Sequence, residues 1–408
     1  MTVQHECCAG LDVHQRTVVV CVRRQRGAEV TYSHQTFGTT TRDLCGLGDW
    51  LVAQSCTHAV IEATGVYWKP VWYVLEERLT LVLAYAAAVR QLKGRKTDAS
   101  DAQWLADLLA HGLIQPSFVP PAPIRELRDL TRTRQQLVRE VAQHTLRIQK
   151  ILDDASLKLT TVLTDVLGVS GRAVIRALIA GERDPARLAD CVHPRVRAGR
   201  AALEAAFDGR CTSHHAFLLQ LHLDQVEALD AAIARLEAHI GTHVAPFRAT
   251  LDLLTTLPGV KDTVSRVLLA EIGPDVSRFA SAGHLLSWAH FCPRRDESAG
   301  RRRSTRVLPG HTWLKTTLIQ AAWAAVKRRD TYLHAQFVRL RARRGPKKAI
   351  VAVAASMLVA VYYMLKNGVP YHDLGADYFT RRDRDRRAQY LLRQLQTLGY
   401  EAQLRDVA

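Results

Sequence analysis

Three consecutive strand-like runs, followed by a regular exchange of strand and helix, limit what the N-terminal part of this chain can become. Residues 8–36 alternate at the strand period of two. A strand ending at Asp12 is followed by the buried run Thr17-Val18-Val19-Val20-Cys21-Val22 and by a third strand from Glu29 to Phe37. Thr41 to Ser55 reads as a helix and His58 to Glu62 as a fourth strand, with Thr64-Gly65 as the turn after it. Tyr67 to Arg78 is helical, and Leu79 to Ala84 is a fifth strand. A helix then begins near Thr97, with Trp104, Leu105, Leu108 and Leu109 on its inner face.

Three early strands and then alternating elements describe an α/β layer fold of the ribonuclease-H type. Acidic residues stand where such a fold would use them. Asp12 ends Ala9-Gly10-Leu11-Asp12, and Glu62 ends Ala59-Val60-Ile61-Glu62. Asp98 and Asp101 lie in Lys96-Thr97-Asp98-Ala99-Ser100-Asp101-Ala102, on one face of a helix's first turn. Four carboxylates from two strand ends and one helix suit Mg²⁺, or Mn²⁺, as an all-oxygen cage. Ordinary structural roles compete with that reading. Asp98 can be an N-cap, Asp101 a first-turn acid favoured by the helix dipole, and Asp12 a turn cap.

The charge balance narrows the chemistry. The formal net charge is +17, which favours a polyanionic partner, nucleic acid or an acidic membrane surface. An acid cage in so basic a chain points to metal-assisted phosphodiester chemistry on nucleic acid, with Arg95 and Lys96 beside it as phosphate contacts. The start Met1-Thr2-Val3-Gln4-His5-Glu6 has no basic-then-apolar signal pattern. Ala349 to Leu365 imitates a membrane span, but it is rich in Ala and falls short of the ~20 residues a bilayer core needs, so a core helix is expected. A cytoplasmic, nucleoid-associated protein without a membrane partner follows. The eight cysteines form no Cys-x-x-Cys and no zinc-finger spacing with His, so reduced structural thiols are expected and zinc is not.

Pro116, Pro120, Pro121 and Pro123 mark a domain boundary. Beyond it, Leu130, Leu137, Val141, Ile148 and Leu152 recur at alternating steps of seven and four, and Leu219, Val226, Leu229, Ile233, Leu236 and Ile240 form a second seam. Two such helices would pair as a coiled coil, within the chain or between subunits. The first carries Arg125, Arg128, Arg132, Arg134, Arg139, Arg147 and Lys150, either a solvated surface or one that faces a polyanion. The stretch from about 160 to 215 gives no clear assignment. Leu257-Pro258-Gly259-Val260 between two helical runs is either a helix-hairpin-helix, with Gly259 and Lys261 at a phosphate, or a plain interhelical turn.

A second chemical site follows. Asp296-Glu297-Ser298-Ala299-Gly300 stands before Arg301-Arg302-Arg303-Ser304-Thr305-Arg306. A turn would expose the Ser298 hydroxyl, while Arg301, Arg302, Arg303 and Arg306 neutralise phosphate charge. Read alone, the same serine is a turn former or helix cap, and Ser304 is a weaker competitor. Lys347 and Lys348, with the run Arg339 to Arg344, are phosphate contacts or solvated charge. Arg381 to Arg387, with Asp383 and Asp385 interleaved, reads as a self-paired helix without assigned chemistry.

Taken together, these motifs carry a family likeness. Gly10-Leu11-Asp12-Val13-His14, Ile61-Glu62-Ala63-Thr64-Gly65-Val66-Tyr67-Trp68 and Lys96 to Ala102 resemble the catalytic domain of DEDD transposases of the insertion sequence 110 family. Leu257 to Val260, Ala289-His290-Phe291-Cys292-Pro293, Glu297 to Gly300 and Gly368-Val369-Pro370-Tyr371 resemble that family's C-terminal transposase domain. The resemblance implies a RuvC-like domain whose metal-binding acids match Asp12, Glu62, Asp98 and Asp101. It implies a serine nucleophile, matched by Ser298, that links covalently to a cleaved DNA strand. It further implies DNA as substrate (element ends and target), a structured non-coding RNA as guide, and a dimer or tetramer that joins the acids of one subunit to the serine of another. The expected divisions are a catalytic domain at 1–119, a coiled-coil helical region for dimerisation and RNA binding at 120–248, a mainly α transposase domain at 249–375 and a basic helical tail at 376–408. Two alternatives stay open: a RuvC-like nuclease of junction-resolvase type with water as nucleophile, and a nucleic-acid-binding protein with an inactive cage.

Overall fold

The computed structural model describes residues 3–63, 65–84, 98–114, 116–293, 296–298, 301–304, 307, 310, 312–382 and 384–401. The chain divides into two compact units, Met1–Pro120 and Pro121–Ala408.

The first unit is built on a six-stranded mixed sheet ordered β3-β2-β1-β4-β5-β6. Strands β1 (Cys7–Val13), β2 (Thr17–Arg26) and β3 (Glu29–Gly38) form an antiparallel meander. Strands β4 (His58–Glu62) and β5 (Thr80–Ala84) run parallel to β1, and the short β6 (Pro116–Ser117) closes the edge antiparallel to β5. The crossovers are α1 (Thr41–Ala53) and α2 (Trp68–Leu75). This mixed sheet is compatible with a ribonuclease-H-like domain.

The pleat sorts the side chains between two layers. Leu11, Val18, Val20, Val22 and Ile61 join Leu44, Leu47 and Leu51 of α1 and Val71 and Leu75 of α2 in one core. Cys8, Val60 and Ala84 face the other way, against Leu105, Leu109 and Ala110 of α3 (Asp98–Ala110). Burial pushes the thiols of Cys8 and Cys21 up to about 12, as expected of inert core cysteines, and all eight cysteines are free. Helix α3 comes unusually close to the sheet at Gly10. A Cβ there would lie 2.0 Å from the Ala102 carbonyl oxygen, 2.6 Å from the Ala106 nitrogen and 2.9 Å from Leu105 Cβ.

The second unit is mainly helical. Its long helices α4 (Ala122–Asp154) and α9 (Ser213–His243) pack antiparallel within the chain, Arg134 meeting Glu237 near one end and Asp154 meeting His215 near the other. The region that resisted assignment holds four short helices, α5 (Leu159–Val162), α6 (Val169–Ile179), α7 (Pro185–Asp190) and α8 (Arg200–Phe207). They close over Ile148 and Leu152 of α4 and Leu219, Leu223 and Val226 of α9 with Val174, Ile175, Leu178 and Phe207.

The remaining elements are α10 (Arg248–Thr255), α11 (Asp262–Ile272), α12 (Ala282–Trp288), the hairpin β7 (Asp296–Ser298) and β8 (Arg301–Ser304), α13 (Thr312–Ala325), α14 (Tyr332–Arg344), α15 (Pro346–Asn367), α16 (Tyr378–Arg382) and α17 (Arg384–Thr397). Helix α15 is long and apolar enough to cross a bilayer. Instead it runs through the core of this unit: Ile350, Val353, Ala354, Met357, Leu358 and Val361 are buried at helical spacing, and the Tyr362 hydroxyl donates to the Phe279 carbonyl at 3.0 Å.

The cations of α4 divide into two groups. Arg139, Arg147 and Lys150 stay exposed, whereas Arg128, Arg132 and Arg134 turn inward. Arg132 grips the buried Glu271 with both of its forks at 2.7 and 2.8 Å, and Arg128 donates to the carbonyls of Ala270 and Glu271 at 3.0 and 2.9 Å. Arg134 pairs with Glu237, which also takes Arg266 at 2.6 Å. Burial of the Glu271 carboxylate requires such cations, because an isolated buried charge is far costlier than a paired one.

Gly10→Val is expected to lower stability by about 2–3 kcal/mol, the upper part of the usual overpacking range, read as a shift of the urea midpoint. An unchanged midpoint would mean that α3 does not sit this close to β1.

Candidate active site

Backbone register brings three of the acids to one end of the sheet. Leu11 pairs with Ile61 across the parallel β1–β4 ladder, so Asp12 and Glu62 follow side by side at the C-terminal ends of these strands. Both continue the face of Gly10 and Val60, the face that α3 covers. Helix α3 begins at Asp98, and Asp101 directly precedes Ala102, the residue seated against Gly10. Its first turn therefore starts beneath the end of β1. A glycine two residues before Asp12 is what permits this approach.

Asp12 is mostly shielded, at 16% exposure, and its Oδ2 lies 3.1 Å from His14 Nε2. Glu62 and Asp101 are partly buried. The Asp98 side chain, and Arg95 and Lys96 altogether, lie outside the described residues. Among the described residues, no three His, Cys, Asp or Glu side chains are gathered closely enough to hold a metal ion. His14 is the contact that charge counting missed. His14 follows directly after β1, two residues beyond Asp12.

Helix α3 is also fixed electrostatically. Arg23 on β2 is 3% exposed, and its Nε donates to Asp107 Oδ1 of α3 at 3.0 Å. The Tyr32 hydroxyl on β3 donates to the same oxygen at 2.9 Å; burial, then the bond to Asp107, raises the Tyr32 pKa. One carboxylate thus ties the helix that carries Asp98 and Asp101 to two strands.

The serine belongs to the second unit. Ser298 is the last residue of β7 and pairs with Arg301 across the hairpin, the two flanking Ala299 and Gly300, which lie outside the described residues. It is therefore a strand-end residue rather than a helix cap. Arg301, Arg302 and Arg303 belong to β8, and the ladder slips by one residue between Glu297 and Asp296, leaving Arg303 as a bulge. Their side chains, that of Ser298 and all of Arg306 lie outside the described residues. A bridge between Pro293 and Val307 closes the hairpin's base.

The support below that base is well defined. Ala289 and Phe291 are buried in the core, and His290 adopts a left-handed φ of 57°. A Cβ at Gly310, whose φ is +140°, would lie 2.2 Å from His290 Nδ1. Lys315 Nζ donates to the His290 carbonyl at 3.2 Å, and burial lowers its pKa.

The other basic candidates differ in setting. Gly259, with φ +82°, presses on α13, where a Cβ would meet the Ala321 oxygen at 2.2 Å. The Val260 amide donates to the Leu257 carbonyl at 3.0 Å. Lys261 stands exposed at the start of α11, and Lys347 and Lys348 are exposed in the first turn of α15.

Known families match parts of both units. Residues 9–156 match a family model for the transposases of DEDD type from insertion sequence IS110, and residues 251–339 match one described as "Transposase IS116/IS110/IS902 family". The chain is similar to a "Probable family 20 transposase" of Pseudomonas aeruginosa, 26% identical over 237 residues. That match covers 58% of this chain and 61% of the relative, less than two thirds of its length.

Asp107→Ala would strand the nearly buried Arg23 guanidinium. A loss of about 3 kcal/mol is expected, with much of it regained in the double variant Arg23→Leu/Asp107→Leu. Equal stability of Asp107→Ala and the parent in urea would show that the tie does not hold α3.

Proposed function

We propose that this chain, which belongs to the IS110 family of transposases, cuts and rejoins DNA through two half-sites, an acid cage in the first unit and a serine hairpin in the second. The observation that carries the reading is the register that sets Asp12 beside Glu62 over the start of α3. The donors there are all carboxylate oxygens, the ligand type hard divalent cations prefer. Asp12, Glu62, Asp98 and Asp101 would hold Mg²⁺ or Mn²⁺. The bound ion supplies charge stabilisation at the scissile phosphate and at the leaving 3′ oxygen.

Ser298 supplies the attacking hydroxyl oxygen. Its Oγ–P bond forms as the P–O3′ bond breaks, and its proton leaves with the departing hydroxyl once transferred. The phosphoserine keeps the ester energy that hydrolysis would release, so attack by another 3′ hydroxyl reseals a new junction and frees the serine. Arg301, Arg302, Arg303 and Arg306 neutralise the phosphates flanking the cut. A dimer or tetramer would supply the acids and the serine of each site from different subunits, and a non-coding RNA of the element would select the DNA by base pairing.

Ser298→Ala is expected to abolish the detergent-stable protein–DNA adduct and to lower strand exchange by a thousandfold or more, about what loss of a nucleophile costs other enzymes. If that variant still cuts DNA at the parent rate, water is the nucleophile and the chain is a nuclease. Asp98→Ala is expected to remove Mg²⁺-dependent cleavage and to weaken Mn²⁺ binding measured by calorimetry; unchanged Mn²⁺ affinity would remove Asp98 from the cage. Sequencing RNA that co-purifies from cells carrying the flanking DNA checks the guide.

A further inference from the structure

We propose that Cys7 and Cys56 form an oxidisable thiol pair, a modification site at which a small hydroperoxide links β1 to the turn that enters β4. The pair lies at the N-terminal ends of these strands, opposite the end that carries Asp12 and Glu62. Its chemistry is independent of how the chain handles DNA.

The sheet itself brings the two thiols together. Cys7 opens β1, and Cys56 lies in the link between α1 and β4. Cys8 is the ladder partner of His58, so one step back along both strands sets Cys7 level with Thr57 and diagonal to Cys56. With strands ~4.8 Å apart and a rise of ~3.3 Å per residue, that diagonal separates the two Cα atoms by about 6 Å, inside the ~4.4–6.8 Å that a disulfide spans. The pleat sends Cys8 toward α3 and Cys7 to the opposite layer, where Cys56 belongs to the core formed with α1 and α2. The two Sγ atoms lie 3.7 Å apart. Cys7 also donates to the Gln54 carbonyl at 3.3 Å.

The thiols differ in access. Cys7 is half-buried, whereas Cys56 is 5% exposed. Cys56 nevertheless lines a hollow of about 440 Å³, together with Thr57, Glu77, Leu79 and Thr80. Such limited exposure admits a small oxidant and shuts out a bulky disulfide. Burial, above all, pushes the Cys56 thiol up, so Cys7 is the thiol that meets the oxidant first.

The chemistry balances with one hydroperoxide. Cys7 Sγ attacks an oxygen of the peroxide: an S–O bond forms, the O–O bond breaks, and the thiol proton leaves with the first water. Cys56 Sγ then attacks Cys7 Sγ. The S–S bond forms as the S–O bond breaks, and the departing hydroxide takes the Cys56 proton as the second water. Two thiols lose two electrons and hydrogen peroxide gains them. Closure needs the sulfurs to approach from contact to bonding distance, a movement within reach of side-chain rotation at the half-buried Cys7. The link joins positions 49 residues apart, so it restricts the unfolded chain and stabilises the first unit.

The test uses the full chain, reduced without air, treated with hydrogen peroxide and quenched by alkylation. A peptide joining Cys7 to Cys56, lighter than the reduced pair by two hydrogens, is expected by mass spectrometry. The thermal midpoint of the first unit should rise by roughly 5 °C or more and fall back on treatment with dithiothreitol. Cys7→Ser and Cys56→Ser should each lose the link and the shift, while Cys45→Ser, a change at another half-buried thiol, should keep both. Peptide mapping of the parent needs no variant, so the assignment is decided even where a serine variant fails to fold. A parent that forms no such peptide, or that links other cysteines or two chains instead, overturns the site. A Cys7–Cys56 link that leaves the midpoint unchanged overturns the stabilising clasp.

Discussion

Backbone contact between α3 and β1 sets the geometry of the first unit. The contact has no side chain on the strand side, since Gly10 meets the Ala102 carbonyl where any Cβ would collide. Close approach of this kind brings the start of a helix to the end of a strand without an intervening layer of side chains. The β1–β4 register sets Asp12 beside Glu62, and this contact brings the helical turn of Asp98 and Asp101 to the same end of the sheet. The ion pair of Arg23 with Asp107, deeper along α3, fixes the same helix against sliding along the sheet. One contact sets the distance and the other sets the register.

Much of this was legible from the sequence because alternation reports burial. β1, β2, β4 and β5 carry runs that a two-layer sheet buries on both faces, so the strands themselves showed in the pattern, while their order in the sheet did not. Other features were hidden for physical reasons. The helices between 159 and 207 are too short to show a period, and they acquire stability only by closing over α4 and α9. The partners of Arg128, Arg132 and Arg134 lie more than a hundred residues away, at Glu271 and Glu237, so a local charge count read them as a surface. The strand before Ser298 carries charge where alternation would show apolar residues, which made a loop the natural reading of what is a hairpin.

The acid cage and the serine differ in how they are supported. Asp12 and Glu62 sit on strands that neighbours pair on both sides, so their backbone positions are held by the sheet itself. Ser298 stands at the end of a two-stranded ribbon, which has no third strand and gains its firmness from below. His290 in a left-handed conformation, Gly310 pressed against its ring and Lys315 bonded to its carbonyl make that footing.

The excess of 56 basic over 39 acidic residues is therefore spent unevenly. Along α4, Arg128, Arg132 and Arg134 turn inward to neutralise Glu271 and Glu237, where they stabilise the unit and lose long-range reach through pairing. At the end of α14, the start of α15 and the helix α16, cations stay exposed or lie on aromatic rings. Exposed charge attracts a polyanion only where acids do not cancel it within a Debye length. The second unit thus separates its arginines into a structural set and a surface set.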